Sequence, residues 1–206
     1  MALVNVSPVE TLAPAAAVAY DRETLLADLT AEKPAVRRAA ARGLATHPEA
    51  AMELCDRLEV EVSPSVRAVL FTSLIQLQSP DVAARLTDLL RGEDVALRNA
   101  AIEALQEMPA AVIPHLEPLL SDDDSDVRIF AVNILAALRD TRASELLAGV
   151  VRGDPHINVC AAAVDGLTEV GDPEALPDLE DARIRFAADA FMEFAIDAAM
   201  RRIRGQ

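Results

Sequence analysis

The residues able to carry metal or nucleophile chemistry are three histidines, two cysteines and one run of acids. His47, His115 and His156 stand singly. No His-x-x-x-His or His-Glu pair puts two ligands on one helix face, as a zinc or di-iron site requires. The run SDDDSD at 121–126 has the carboxylate density of a calcium loop. It lacks the turn Gly at the sixth position, and Asn133 stands where the bidentate Glu belongs, so it reads as a solvated turn with a helix N-cap. No Gly-rich phosphate loop is present, and no Ser-His-Asp set has a defensible spacing. No catalytic residue, metal ligand or cofactor site emerges, and the work of this chain is expected to lie in a surface.

Composition says what elements would carry that surface. An apolar fraction of 52% over 206 residues suffices for a large core. Ala and Leu dominate it, aromatics are 3% and Trp is absent, which favours closely spaced helices. Seven Gly and twelve Pro suit many short helices with punctuated ends. A net charge of −15 repels nucleic acid and anionic membranes and favours cationic partners. The N-terminal MALVNVSPVETLAPAAAVAY has no basic n-region, and no run reaches the ~18 apolar residues of a membrane span. A soluble, cytoplasmic protein is expected.

The chain repeats. With Arg128 as position zero, the same register fits Arg37, Arg67, Arg98, Cys160 and Arg185, at spacings of 30, 31, 30, 32 and 25 residues. Position −1 is apolar throughout, position +7 is Leu or Met, and position +3 is Ala in five of six (Ala40, Ala101, Ala131, Ala163, Ala188) with Leu70 the exception. Offsets of −1, +3 and +7 are helical spacing, so one buried stripe runs down each of six helices. Shorter amphipathic segments lie between them, from DRETLLADL to PEALPDLED. Pro48, Pro80 and Pro173 sit just inside their starts, and Ser63 and Ser79 are expected N-caps. The unit is a helix–turn–helix of about thirty residues, and such units bury their apolar faces only by stacking.

The stretch LTEVGDPEALPDL at 167–179, together with the Val-Arg helix starts, resembles HEAT repeats of the phycobilisome-lyase-like class. That class runs D-x-x-V-R-x-x-A-A-x-A-L-G-x-[LIV]-G-D-x-x-A-[LV]-x-x-L. The resemblance covers residues 21 to about 200 and implies an all-α, right-handed α-solenoid of about six HEAT-like repeats. Residues 1–20 fall outside the repeat, as a cap or arm, and residues 21–206 form the solenoid. The chain departs from the pattern at Cys160, at Asp189 on a normally buried +4 position, and in a helix over 182–204 that ends the array. Cys55 and Cys160 lie more than three units apart, so a regular array forbids a disulfide between them.

An arginine in the first turn of a helix opposes the macrodipole, by roughly 0.3–1 kcal/mol. Acids cluster in the loops before these helices, including Glu61, Asp94, Asp122 to Asp124 and Asp154. They are expected to form an inter-repeat ladder, with Arg128 bonded to Asp154 of the following unit.

The resemblance implies that the second helix of each unit lines a concave face, where offsets +1, +2, +5 and +9 point. Unit one contributes Arg38 and Arg42, and unit two Thr72 and Gln76. Unit three contributes Asn99, Glu103 and Glu107, and unit four Ile129, Phe130 and Asn133. Unit five contributes Asp165 and Glu169, and unit six Phe186 and Phe194. Basic, acidic and exposed apolar positions alternate along this face. The expected function is a non-catalytic scaffold or adaptor whose protein partner offers a basic segment and an apolar anchor. The resemblance also implies a second reading, a lyase- or chaperone-type factor acting on a cofactor-bearing protein. A homodimer through the Phe-rich last helix is a further expectation.

Overall fold

The computed structural model describes residues 21–138, 140 and 142–205. Those residues form twelve α-helices and no strand. They are α1 (Arg22–Asp28), α2 (Pro34–Leu44), α3 (Ala51–Val60), α4 (Pro64–Leu77), α5 (Pro80–Asp88) and α6 (Val95–Gln106), then α7 (Pro109–Leu119), α8 (Ser125–Ala137), α9 (Ala143–Gly153), α10 (Ile157–Val170), α11 (Leu176–Arg185) and α12 (Ala190–Ile203). Residues 1–20, read above as a cap or arm, lie outside the described residues. The helices alternate between two layers. Even-numbered helices pack on one another in sequence from α2 to α12, odd-numbered helices form the other layer, and each odd helix packs on the even helix that follows it. This is a solenoid of six helix pairs with one continuous core.

The repeat register explains the core for five units. Val66, Leu70 and Leu74 of α4 are fully buried, as are Val159, Ala163 and Leu167 of α10. Prolines begin α2, α4, α5 and α7, where a missing N–H costs nothing. Ser63 and Ser79 do hold the N-cap positions of α4 and α5, but their side chains accept no capping bond. Asp21, Asp94, Asp124 and Asp189 do cap, each accepting a backbone N–H of the first turn.

The sixth unit corrects the reading. The segment 182–204 is two helices, because α11 ends at Arg185 and α12 starts after the Asp189 cap. Asp189 is therefore a cap that accepts from the Met192 N–H at 2.9 Å, not an acid on a buried stripe. Position zero of this unit is Glu193, 33 residues after Cys160. The stripe is then Met192, Ile196 and Met200, all buried.

Arg37, Arg67, Arg98 and Arg128 sit in the first turn or so of their helices, and their side chains lean toward the helix start. Each reaches carbonyls of the turn that leads into its own helix. Arg128 Nη1 donates to the carbonyls of Asp122 at 2.8 Å and Asp123 at 3.3 Å, and Arg37 Nη1 donates to Ala31 and Glu32, both at 2.8 Å. Three of the four then bond an acid of the next unit. Arg37 grips Glu61 through two bonds of 2.7 and 2.8 Å, Arg128 grips Asp154 at 2.7 and 3.1 Å, and Arg67 meets Asp94 at 2.8 Å. Turn carbonyls and a carboxylate offset the cost of a cation at a helix start. Arg98 differs. It donates to the Gly92 carbonyl at 2.8 Å and stands over the Phe130 ring at 5.2 Å, with no ion-pair partner among the described residues. Asp122, which stands six residues before Arg128 as Glu61 stands before Arg67, is bonded by Arg91.

At unit five the missing guanidinium comes from elsewhere. Cys160 Sγ bonds the Asp154 carbonyl at 3.3 Å, and Arg185, at the end of α11, reaches back to it. Arg185 donates to the carbonyls of Val151 and Arg152 at 2.8 and 2.9 Å and to Cys160 Sγ at 2.9 Å. The residue aligned by sequence as the sixth ladder arginine thus caps α9, from the other side.

Glu61 is fully buried and accepts from Arg37, Arg57 and the Ser63 N–H. The Arg37 guanidinium does most to hold its carboxyl down, from 4.5 to about 2. A carboxyl depressed on folding stabilises the fold above its unfolded pKa. That contribution is expected to fade as pH falls from about 4.5 toward 2. Glu61→Gln leaves Arg37 buried without its countercharge, and urea unfolding at pH 7 is expected to show a loss of about 3 kcal/mol. In the variant the stability change between pH 5 and 3 flattens. A loss under about 0.5 kcal/mol, the range of surface substitutions, would contradict the ladder's role.

Candidate protein-interaction surface

The free face of the even-numbered layer carries the stripe expected from the sequence. Arg42, Thr72, Gln76, Asn99, Glu103, Glu107, Asn133, Asp165 and Glu169 are exposed on it, and Arg38 is half-buried with a 2.8 Å bond to Ser65 Oγ. The apolar members need correction. Ile129 and Phe130 are half-buried against the core, and Phe130 is roofed by Arg98, so neither is an open anchor. Phe186 is not on the stripe. It follows α11 in the turn, with the Arg185 guanidinium 4.2 Å from its ring centre. Phe194 is 67% exposed, as expected, and Phe191, missed by the sequence reading, is 68% exposed. In the corrected register Phe194 stands at +1, and Phe191, three residues earlier, shares its side of α12.

Packing along this layer is uneven, and the unevenness makes grooves. Ser73 Oγ of α4 bonds the Ala41 carbonyl of α2 at 2.8 Å, which draws those helices together. Gly166 does the same between α10 and α8, since a Cβ there would lie 3.0 Å from Ala136 and from Leu147. Between α4 and α6 the layer opens into a groove of about 510 Å³. Its floor is Ala68, Phe71, Ile75, Ala100 and Ala104, and Thr72, Glu103 and Glu107 rim it. Gln78 closes one end. It holds a left-handed C-cap with φ 50° and donates through Nε2 to the Glu107 carbonyl at 2.9 Å. A second groove of about 420 Å³ lies between α10 and α12, floored by alanines, with Asp165 on one wall and Phe191 and Phe194 on the other.

Charge is arranged differently on the two layers. Ion pairs tie successive odd-numbered helices, with Arg22 to Glu53, Arg85 to Asp56 and Glu59, Arg142 to Glu117, and Arg152 to Asp178. On the even-numbered face, Glu103, Glu107, Asp165 and Glu169 have no such partner within 4.0 Å among the described residues. A cleft of about 600 Å³ beside α7 and α9 is opened by Gly149 and Gly153, whose added Cβ atoms would meet nothing within 4 Å. The carboxylates of Asp122, Asp154 and Glu117 around it are already bonded to Arg91, Arg128 and Arg142. The same loop uses its acids as turn braces, Asp122 accepting from the Asp124 N–H and Asp124 from the Asp126 N–H, both at 2.9 Å.

The thiols are buried and unbonded to each other. Burial pushes Cys55 up to about 11 and Cys160 upward as well, opposite to the lowered pKa that activates a cysteine nucleophile. The even-numbered face thus carries unpaired carboxylates beside apolar floors. Two substitutions separate its open and closed aromatics. Phe194→Ser is expected to change stability by less than about 0.5 kcal/mol, whereas Phe130→Ser loses about 1.5 kcal/mol with its packing and its cation–π contact. Urea melts of both variants measure this, and equal losses would contradict the assignment of Phe194 to open surface.

A sequence profile of HEAT repeats matches residues 22–106, 51–124 and 113–188. No protein of curated function matches the chain in sequence. Among solved structures, an engineered protein is 19% identical over 90% of this chain and 97% of its own, with a TM-score of 0.41. A designed armadillo repeat protein is 15% identical over 89% of this chain and 100% of its own, with a TM-score of 0.42. The complex of CpcE and CpcF of phycocyanin lyase from Nostoc sp. is 17% identical over 98% of this chain and 99% of its own, with a TM-score of 0.38. With the repeat profile spanning residues 22 to 188 and two stacked helical layers beneath it, the chain belongs to the HEAT-repeat family.

Proposed function

We propose that this chain is a non-catalytic scaffold that binds a protein partner through the free face of its even-numbered helices. One juxtaposition carries the reading. Glu103, Glu107, Asp165 and Glu169 stand unbonded on the even-numbered face at the rims of apolar grooves, whereas the ion pairs between odd-numbered helices already occupy Glu53, Asp56, Glu59, Glu117 and Asp178. Charges left unpaired over an apolar floor favour an amphipathic partner, whose cations meet the rim as its apolar side chain fills the groove. The partner segment is accordingly basic with an apolar anchor. Arg38 and Arg42 at the first unit add a positive end to the face, which gives the segment a direction.

The test is affinity capture from a native extract with the full chain, comparing Glu103→Lys/Glu107→Lys with Glu145→Lys, an exposed acid on the odd-numbered layer. Wild type and Glu145→Lys are expected to retain the same partner and to release it at roughly 0.5 M salt, where exposed charge pairs are screened. The groove variant retains about ten-fold less, the loss expected for two interfacial charges worth about 1.4 kcal/mol together, with an unchanged melting curve. Equal capture by the groove variant would overturn the reading.

A further inference from the structure

The last helix presents the chemistry that the acidic groove lacks. Phe191 and Phe194, in the first half of α12, are 68% and 67% exposed. Exposed Arg201 and Arg202 continue that face in the last turn. We propose that a second copy of this chain is a partner of the even-numbered face, with α12 of one protomer seated along α6 of the other in a two-fold dimer. The inference rests on that face being the binding surface, as argued above.

Symmetry and charge select the arrangement. A two-fold axis running parallel to the helices keeps the docked helices parallel, and the two sequences then match level by level. Phe194 is the fifth residue of α12 and Ala68 the fifth of α4, so the aromatic anchors fall on the apolar end of the α4–α6 groove. Arg201 and Arg202 lie in the last turn of α12, as Gln106 and Glu107 close α6, so the cations fall on the acidic end. An antiparallel seat would put the arginines on alanines and the phenylalanines on glutamates.

The register along the layer follows in the same way. Seating α12 on α6 brings α10 onto α8 of the other copy, because the layer advances one helix per unit. Asp165 and Glu169 then meet the uncharged stripe of α8, exposed Asn133 and Ala137, and no acid faces an acid. Arg38 and Arg42 of α2 stay outside the overlap. A longer overlap with α12 on α2 would oppose them to Arg201 and Arg202. The contact is isologous, so every α12–α6 pairing occurs twice and the assembly closes at two.

Sedimentation velocity of the full chain from about 1 to 100 μM tests this, a range that brackets a dissociation constant on the order of 10 μM. A reversible monomer–dimer equilibrium is expected. Arg201→Glu/Arg202→Glu and, separately, Glu103→Lys/Glu107→Lys each weaken it by at least ten-fold. Mixing the two variants restores a dimer, because one α12–α6 seat then has exchanged charges and the other is wild type. A wild type that stays monomeric at the top of the range, growth beyond a dimer, or a mixture that stays monomeric would overturn the proposal. In each of those cases the scaffold reading stands or falls separately, on whether Glu103→Lys/Glu107→Lys loses the captured protein.

Discussion

The guanidinium near the start of the second helix in units one to four has to meet three demands at once. It must be neutralised against the positive end of its own helix. It must satisfy the carbonyls of the turn behind it. It must also hold the next unit at a set rotation. Arg37 and Arg128 meet all three, bonding the carbonyls behind them and a carboxylate ahead. Those carboxylates are buried and hold the following turn together, since Glu61 accepts the Ser63 N–H and Asp154 the His156 N–H. Burial pushes the Asp154 carboxyl up, and the Arg128 guanidinium and the His156 N–H together more than offset it. The stacking direction of the solenoid therefore depends on a few charge-assisted bonds buried at one edge, with the apolar stripe supplying most of the stability.

Arg98 has a ring beneath it instead of an acid beside it. The layer opens at the other junction of its helix, between α4 and α6, although Arg67 bonds Asp94 there. Where Ser73 or Gly166 sits at a helix crossing, the same layer closes. Groove and ridge thus alternate because of one or two small residues per unit, on a scaffold whose repeat is otherwise even.

Much of this was legible in the residues. A stripe at −1, +3 and +7 gave the even-numbered helices of five units, and the acids in the loops gave the partners of three arginines. The sixth unit was misread for a physical reason. Ile184-Arg185-x-x-Ala188 copies the start of a second helix, and the break that follows contains neither Pro nor Gly. Only the Asp189 cap marks it, and an Asp within apolar sequence is a weak signal by itself. The fate of Phe130 was equally hidden. Its offset is right for an open position, but the neighbouring unit's arginine covers it, which is a tertiary fact. Phe191 lies at offset −2 from Glu193, outside the offsets +1, +2, +5 and +9, and joins the face only as the residue one turn before Phe194. The two grooves depend on inter-helix distance and have no counterpart in a one-dimensional pattern.

Cys160 and Arg185 form the least regular point of the array. Units one to four each bring their own cation, so a copy of one of them would carry its own brace for the turn that leads into its second helix. The fifth pair has given up its cation and borrows one from the sixth, reaching back to the end of α9. These two pairs form a single heritable block. Gene-level expansion or shrinkage of such a chain would be tolerated among the earlier pairs and rejected between these two.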